Sequence, residues 1–170
     1  IQREIEHAKA GKPARIIAKM NSLIETSVIE ALYAASAAGV QIDLIVRGMC
    51  SLRPEVPGLS DNIRVRSIVG RQLEHARVYY FYNDGAEDTY ISSADWMERN
   101  FFRRIETCTP IEDPVIKARV IYEGLTLALQ DNQQAWLMQG DGSYVRATPT
   151  DGEPIVNLQL DLLEKYSHQG

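Results

Sequence analysis

Six arginines stand between residues 47 and 77, at Arg47, Arg53, Arg64, Arg66, Arg71 and Arg77, and that stretch holds no lysine. Its acidic residues are Glu55, Asp61 and Glu74, so it carries +3, six minus three. The whole chain carries -5, which leaves -8 for the remainder. A guanidinium is a planar, permanently charged fork that grips phosphate or carboxylate in bidentate fashion. A solvated basic face is the alternative that residue type alone leaves open. Where the arginines fall along the chain therefore decides what they mean.

Of three histidines, His7 sits in a charged leading helix and His168 in the tail, and both read as solvent-exposed. His75 differs. It lies in Leu73-Glu74-His75-Ala76-Arg77, at the entrance to an apolar strand expected over 76–81. Period-2 alternation puts His75 and Arg77 on one face and Val78 and Tyr80 on the other. A histidine beside a fixed cation keeps an imidazole nitrogen free to act as base or nucleophile. A structural histidine is the other reading that the pattern allows. Ser92-Ser93-Ala94-Asp95 follows the partner strand, and such residues offer hydroxyl and backbone donors to an anion, or cap a helical turn at 95–100 through Ser93 or Asp95. Arg103-Arg104 come next, before a strand expected at 104–108. There is no metal-ligand spacing, Gly-rich phosphate loop or Ser-His-Asp order.

The elements that must position these residues read as α/β. Residues 1–10 are the end of a helix, stopped by Gly11-Lys12-Pro13. Arg15–Met20 is a buried strand that delivers Lys19 and Asn21 to its end. Residues 26–38 form a helix, and Ile42–Val46 is a second strand ending at Arg47-Gly48. Strand, helix, strand requires a crossover, so the two strands are expected to be parallel neighbours, with ligands at their C-terminal ends. Ile63–Arg66 alternates as a strand, and 76–81 pairs with 89–91 through the turn Asn83-Asp84-Gly85. Asp113-Pro114 opens a helix to about residue 130. A hairpin through Gly140-Asp141-Gly142 and a helix over 154–166 complete a mixed sheet flanked by helices. Residues 113–170 are a candidate helical subregion.

A chain of 170 residues with 45% hydrophobic and 24% charged residues builds a packed core. No apolar run reaches the roughly 18–20 residues of a bilayer span. The start lacks a signal peptide's apolar region and an initiator Met, so a piece of a longer chain is expected. Cys50 and Cys108 match no metal or redox spacing and read as buried, reduced thiols of a cytosolic protein.

Taken in order, Ile17–Leu23, Ile42–Gly48, Leu52-Arg53-Pro54, Asn62–Arg71, Leu73–Arg77 and Ile91–Met97 resemble the C-terminal part of the polyphosphate kinases that polymerise the ATP γ-phosphate. The resemblance runs over nearly all 170 residues and is strongest up to Asp113. It implies the second of two phospholipase D-like domains that face each other across a tunnel. His75-Ala76-Arg77 stands where that fold class has His-x-Lys, and Ser92-Ser93-Ala94-Asp95 where it has a Gly-Ser-x-Asn element; arginine keeps the phosphate-binding cation. The resemblance further implies that Arg47 and His75 contact nucleotide phosphates and that Arg104 lines the same site. Arg77, Lys19, Asn21, Ser92 and Ser93 complete the candidate set. The phosphorylated histidine and the residues contacting Mg2+ are expected in the preceding domain, with ATP, ADP and polyphosphate as partners. A cytoplasmic, oligomeric full-length enzyme is implied, with membrane association open. Two rivals are a phospholipase D-type phosphodiesterase working as a homodimer and an arginine-rich nucleic-acid-binding domain. The tyrosines at 79, 80 and 82 read as core, which argues against a base-stacking platform.

Overall fold

Alternating apolar residues drive the chain into one sheet with helices on both faces, in a computed structural model that describes residues 1–167. The elements are α1 (Gln2–Lys9), β1 (Arg15–Met20), α2 (Thr26–Ala37), β2 (Gln41–Val46), β3 (Ile63–Ile68), β4 (Val78–Phe81) and β5 (Asp88–Ser92). They continue with α3 (Glu98–Phe102), β6 (Cys108–Pro110), α4 (Pro114–Ile121), α5 (Leu127–Gln130), β7 (Ala135–Met138), β8 (Tyr144–Arg146) and α6 (Leu158–Ser167). The eight strands run β6-β5-β4-β1-β2-β3-β7-β8. β1, β2 and β3 are parallel, as the strand–helix–strand order requires, and every other pairing is antiparallel. The expected mixed α/β sheet is therefore present. His168 lies outside the described residues.

Side chains on β1 and β2 sort by parity. Ile16, Ala18, Met20, Ile42, Leu44 and Val46 join Ile5 of α1 and Ile29, Leu32 and Ala35 of α2 in one core layer. Ile17 and Ile45 face the other way, with Val78, Tyr80, Leu125, Leu127, Ala128 and Leu158. Because both faces of the central strands are covered, they read as nearly unbroken apolar runs. Asp113 caps α4 by accepting from the N–H groups of Val115 and Ile116, each at 2.9 Å, with Pro114 in the first turn. Between α4 and α5 the helix widens into a π turn at Tyr122–Thr126. There a Cβ on Gly124 would come within 3.3 Å of Val78, so the missing side chain lets the helix lie close on β4. No helix among the described residues is long and apolar enough to cross a membrane.

Several local expectations are corrected. The short helix is Glu98–Phe102 and its N-cap is Met97, without a side-chain bond, so neither Ser93 nor Asp95 caps it. The strand after it is Cys108–Pro110 instead of 104–108, and the strand after His75 begins only at Val78. The last helix starts at Leu158. Its N-terminus is held by Asp131, whose carboxylate accepts from the Leu158 N–H at 2.9 Å and from three N–H groups over 133–135. Such long-range anchoring leaves no periodic signature. His7 is half-buried, its Nε2 3.2 Å from Asn83 Oδ1. Both cysteines are free, but Cys108 is exposed on the edge strand and Cys50 half-buried.

Candidate functional site

Parallel β1 and β2 end side by side, with Met20 opposite Val46, so the next residues, Asn21 and Arg47, emerge together. Antiparallel β4 enters at the same edge, since Val78 pairs with Lys19, and β5 leaves there, since Ile91 pairs with Val78. One edge of the sheet thereby receives Lys19, Asn21, Arg47, His75, Arg77, Ser92 and Asp95. Arg47 and the His75 segment flank the end of β1 on opposite sides, Arg47 following β2 and His75 preceding β4, strands whose backbones lie two spacings or about 10 Å apart. Gly48 makes the tight exit possible: its N–H donates to the Asn21 carbonyl at 2.7 Å, and a Cβ there would sit 2.9 Å from that oxygen.

Asp95 organises this edge. It is 4% exposed. Its Oδ1 accepts from the Asn21 N–H at 2.7 Å, from Asn21 Nδ2 at 3.1 Å and from Arg77 Nε at 3.0 Å. Its Oδ2 accepts from Arg77 Nη2 at 3.2 Å. Burial opposes the charge on Asp95, yet the hydrogen bonds from Arg77 and Asn21 outweigh it and hold the carboxyl below the usual carboxylate range. Asn21 then uses its side-chain oxygen to accept from Arg47 Nε at 3.0 Å. The result is a relay, Arg77–Asp95–Asn21–Arg47, that fixes two guanidinium groups. The terminal nitrogens of Arg47 form no hydrogen bond among the described residues, whereas Arg77 is engaged by Asp95 and donates through Nη1 to the His75 carbonyl at 3.4 Å.

Lys19 is 4% exposed, and its Nζ donates to Glu74 Oε2 at 2.6 Å. Its charge is neutralised within the fold. His75 is exposed, and its imidazole forms no hydrogen bond among the described residues. It does not share a strand face with Arg77, because both precede β4 and Arg77 folds inward onto Asp95.

Ser92 Oγ donates to the Thr107 carbonyl at 3.0 Å and accepts from the Ala94 N–H at 3.0 Å. Ser93 Oγ donates to Glu106 and accepts from the Thr107 N–H at 3.0 Å. Asn100 Nδ2 also donates to Glu106, at 2.6 Å. The bonds from Ser93 and Asn100, with the charge of Arg104 nearby, hold Glu106 below the ordinary glutamate range. Arg104 is exposed and forms no side-chain hydrogen bond among the described residues. It lines a cavity of about 840 Å³ between α1 and β4–β6, together with Ser92, Asn100 and Glu106. Arg104 thus belongs to the flank of the edge, beyond the relay.

The arginine cluster divides. Arg66 donates to the carbonyls of Ala128 and Leu129, closing the C-terminal end of α5. Arg53, Arg64 and Arg71 are exposed. Tyr79 and Tyr80 are buried, and burial pushes both hydroxyls well above the usual tyrosine range. Among the described residues, no three His, Cys, Asp or Glu side chains gather as a metal-ligating set. Glu74, Asp95 and Glu106 are each paired within the fold, so the acidic groups of this edge do not fit Mg2+. Sequence reading missed the parts of Asp95 and Glu106. Asp95 was visible only as the end of the Ser92-Ser93-Ala94-Asp95 stretch, and Glu106 carried no signal.

A sheet whose parallel strands end beside a fixed arginine, with an exposed histidine entering at the same edge, defines an open α/β domain. The particular family follows from comparison. The chain belongs to the family described as polyphosphate kinase C-terminal domain 2, whose model matches residues 1–159. It is 76% identical over 162 residues to a polyphosphate kinase of Neisseria meningitidis serogroup B, a match covering 95% of this chain and 24% of that protein. It is 61% identical over 166 residues to a polyphosphate kinase of Burkholderia ambifaria, covering 98% and 24%. The crystal structure of polyphosphate kinase from Porphyromonas gingivalis superposes with a TM-score of 0.93 at 42% identity, over 99% of this chain and 26% of that one. The chain therefore spans about a quarter of the length of the relatives it matches.

Proposed function

We propose that this chain supplies the phosphate-gripping half of a polyphosphate kinase active site. The reading rests on one observation. Arg47 is fixed through Nε by Asn21 while its terminal nitrogens stay uncommitted among the described residues, at the strand edge that also carries the exposed His75. In the reaction proposed, the bond between the ATP γ-phosphorus and the β,γ-bridging oxygen breaks and ADP leaves, as a P–N bond forms on a histidine of the preceding domain. A terminal oxygen of polyphosphate then attacks, the P–N bond breaks, and the polymer is one phosphate longer. Charge spread over the transferring oxygens calls for positioning and electrostatic stabilisation above all.

Arg47 and Arg104 clamp the phosphates in this reading. His75 steadies the transferring group or exchanges a proton with it. Asn21 and Asp95 hold the clamps in place, with Arg77 orienting the His75 segment. Lys19 acts from beneath through Glu74, and Ser92 and Ser93 shape the flank next to Arg104. Mg2+ accompanies ATP, held by residues outside this chain, and neutralises phosphate charge. Since the phosphorylated histidine lies elsewhere, this chain alone is half a site and makes no polyphosphate.

The test is Arg47→Ala in the full-length enzyme, assayed for polyphosphate synthesis. Removing one oxyanion clamp lowers the rate on the order of 10²–10³-fold. Near-normal turnover would remove Arg47 from the site and the reading with it.

A further inference from the structure

Residues 69–77 carry His75 without belonging to any helix or strand. An irregular loop of this kind holds a side chain in register only if something outside it fixes the backbone. The structure shows what does so. Gln159, in the first turn of α6, accepts from the Gln72 N–H through Oε1 at 2.8 Å, and its Nε2 donates to the Gln72 carbonyl at 2.8 Å. The same Nε2 donates to Glu74 Oε1 at 2.8 Å. A Cβ at Gly70 would overlap the Gln159 amide, so the loop closes tightly around it. Glu74 is gripped on its other oxygen by buried Lys19. His75 therefore follows a residue clamped from two elements, and its own carbonyl accepts from Arg77.

The start of α6 is itself anchored. The Leu158 N–H is bound by Asp131, and Leu158 is 1% exposed in the core. Just ahead of it, Asn132 exchanges hydrogen bonds with Val156 and Pro154. The Gln159 amide is thus presented by a rigid helix start to a loop 87 residues away in sequence.

We propose that Gln159 is a positioning residue that holds the His75 loop against the phosphate site. This rests on the reading of His75 as a phosphate contact, and it adds that the C-terminal helix sets the geometry of that contact. Gln159 touches no reacting atom.

The experiment uses the full-length enzyme with His75→Ala, Gln159→Leu, Gln159→Ala and the double variant His75→Ala/Gln159→Leu. Turnover, KM for ATP and the urea midpoint are measured for each. Gln159→Leu is expected to lower kcat on the order of tenfold to a hundredfold, the cost of a small misplacement, while the midpoint stays near that of the wild type. In the His75→Ala background the same substitution adds little, because there is no imidazole left to misplace. A full additional loss in the double variant would overturn the proposal, and so would unchanged kcat in Gln159→Leu. Loss of the fold in both Gln159 variants would also overturn it, since the amide would then be holding the sheet and not the loop. If His75→Ala itself leaves turnover intact, the reading of His75 is at fault.

Discussion

The two halves of the sheet edge are built on opposite plans. Around Asp95 every charge has a partner: Arg77 is bidentate to the carboxylate, Asn21 bonds it twice, and the group is almost wholly buried. Toward Arg47, His75 and Arg104, the terminal nitrogens of Arg47, the exposed imidazole and the exposed Arg104 guanidinium form no hydrogen bond among the described residues. The inner set cannot bind a ligand without breaking its own bonds. In the function proposed above the outer set meets the ligand, with Arg47 already held in place by the inner set through Asn21. Preorganised cations of this kind stabilise developing charge without moving at the moment of reaction. A residue's place in a motif does not settle its task; its existing partners do.

The largest effect is expected at the buried carboxylate. Asp95→Ala leaves Arg77 buried and uncompensated and is expected to cost about 3–5 kcal/mol, read as a shift in urea unfolding. A loss below about 1 kcal/mol would mean that the carboxylate is not the organiser. Arg47→Ala tests the outer half: the rate falls as stated above, while the urea midpoint stays close to that of the wild type. A large fall in the midpoint would place Arg47 among the structural groups instead.

Acid sharpens the contrast further. The folded state holds the Asp95 carboxyl below its unfolded value of roughly 3.9, so its stabilisation is present above that pH and disappears as pH falls through the folded value. Asp95→Asn should therefore show a shallower loss of stability in the acid limb than the wild type, measured by urea titration across that window. Parallel limbs would contradict the assignment. Tyr79→Phe removes the hydroxyl that donates to the Ala94 carbonyl, just ahead of Asp95, and should cost about 1 kcal/mol by thermal unfolding. At the bottom of the scale, Arg103→Ala loses only an exposed pair with Glu98 and should leave both stability and turnover unchanged.

Much of the frame could be read from residue order. Arg15–Met20 and the helix Thr26–Ala37 fall where expected, though Glu25 caps the helix, because both faces of a central parallel strand demand apolar residues and Gly39 closes a helix with positive φ. The strand edge followed from strand–helix–strand order, and it placed Lys19, Asn21 and Arg47 together. What could not be read were the partners. The bond from Asn21 to Asp95 spans 74 residues, and that from Lys19 to Glu74 spans 55, and no periodicity encodes such pairings. Arg66 looked like one more member of a basic cluster until its helix end was in place. Met97 took the cap position expected of Ser93 or Asp95 because those side chains are drawn into longer-range bonds.

Leu23 adds one consequence of a different sort. It bridges to both Cys50 and Trp96; its N–H donates to Met49 and its carbonyl accepts from Ser51, while the neighbouring Ile24 N–H donates to the Trp96 carbonyl. Three distant stretches of chain are thus sewn together just behind the edge that carries Asn21 and Arg47, around a side chain with no solvent exposure. The amides of Leu23, Ile24 and Ser51 should exchange with deuterium only when the whole sheet opens. Those of Arg71 and residues 73–76, which donate to no group among the described residues, exchange through local opening, and the Gln72 amide, held by Gln159, exchanges more slowly than they do. The floor of this edge then belongs to the slowest-exchanging cooperative unit of the molecule, and the rim around His75 opens locally about its Gln72 clamp.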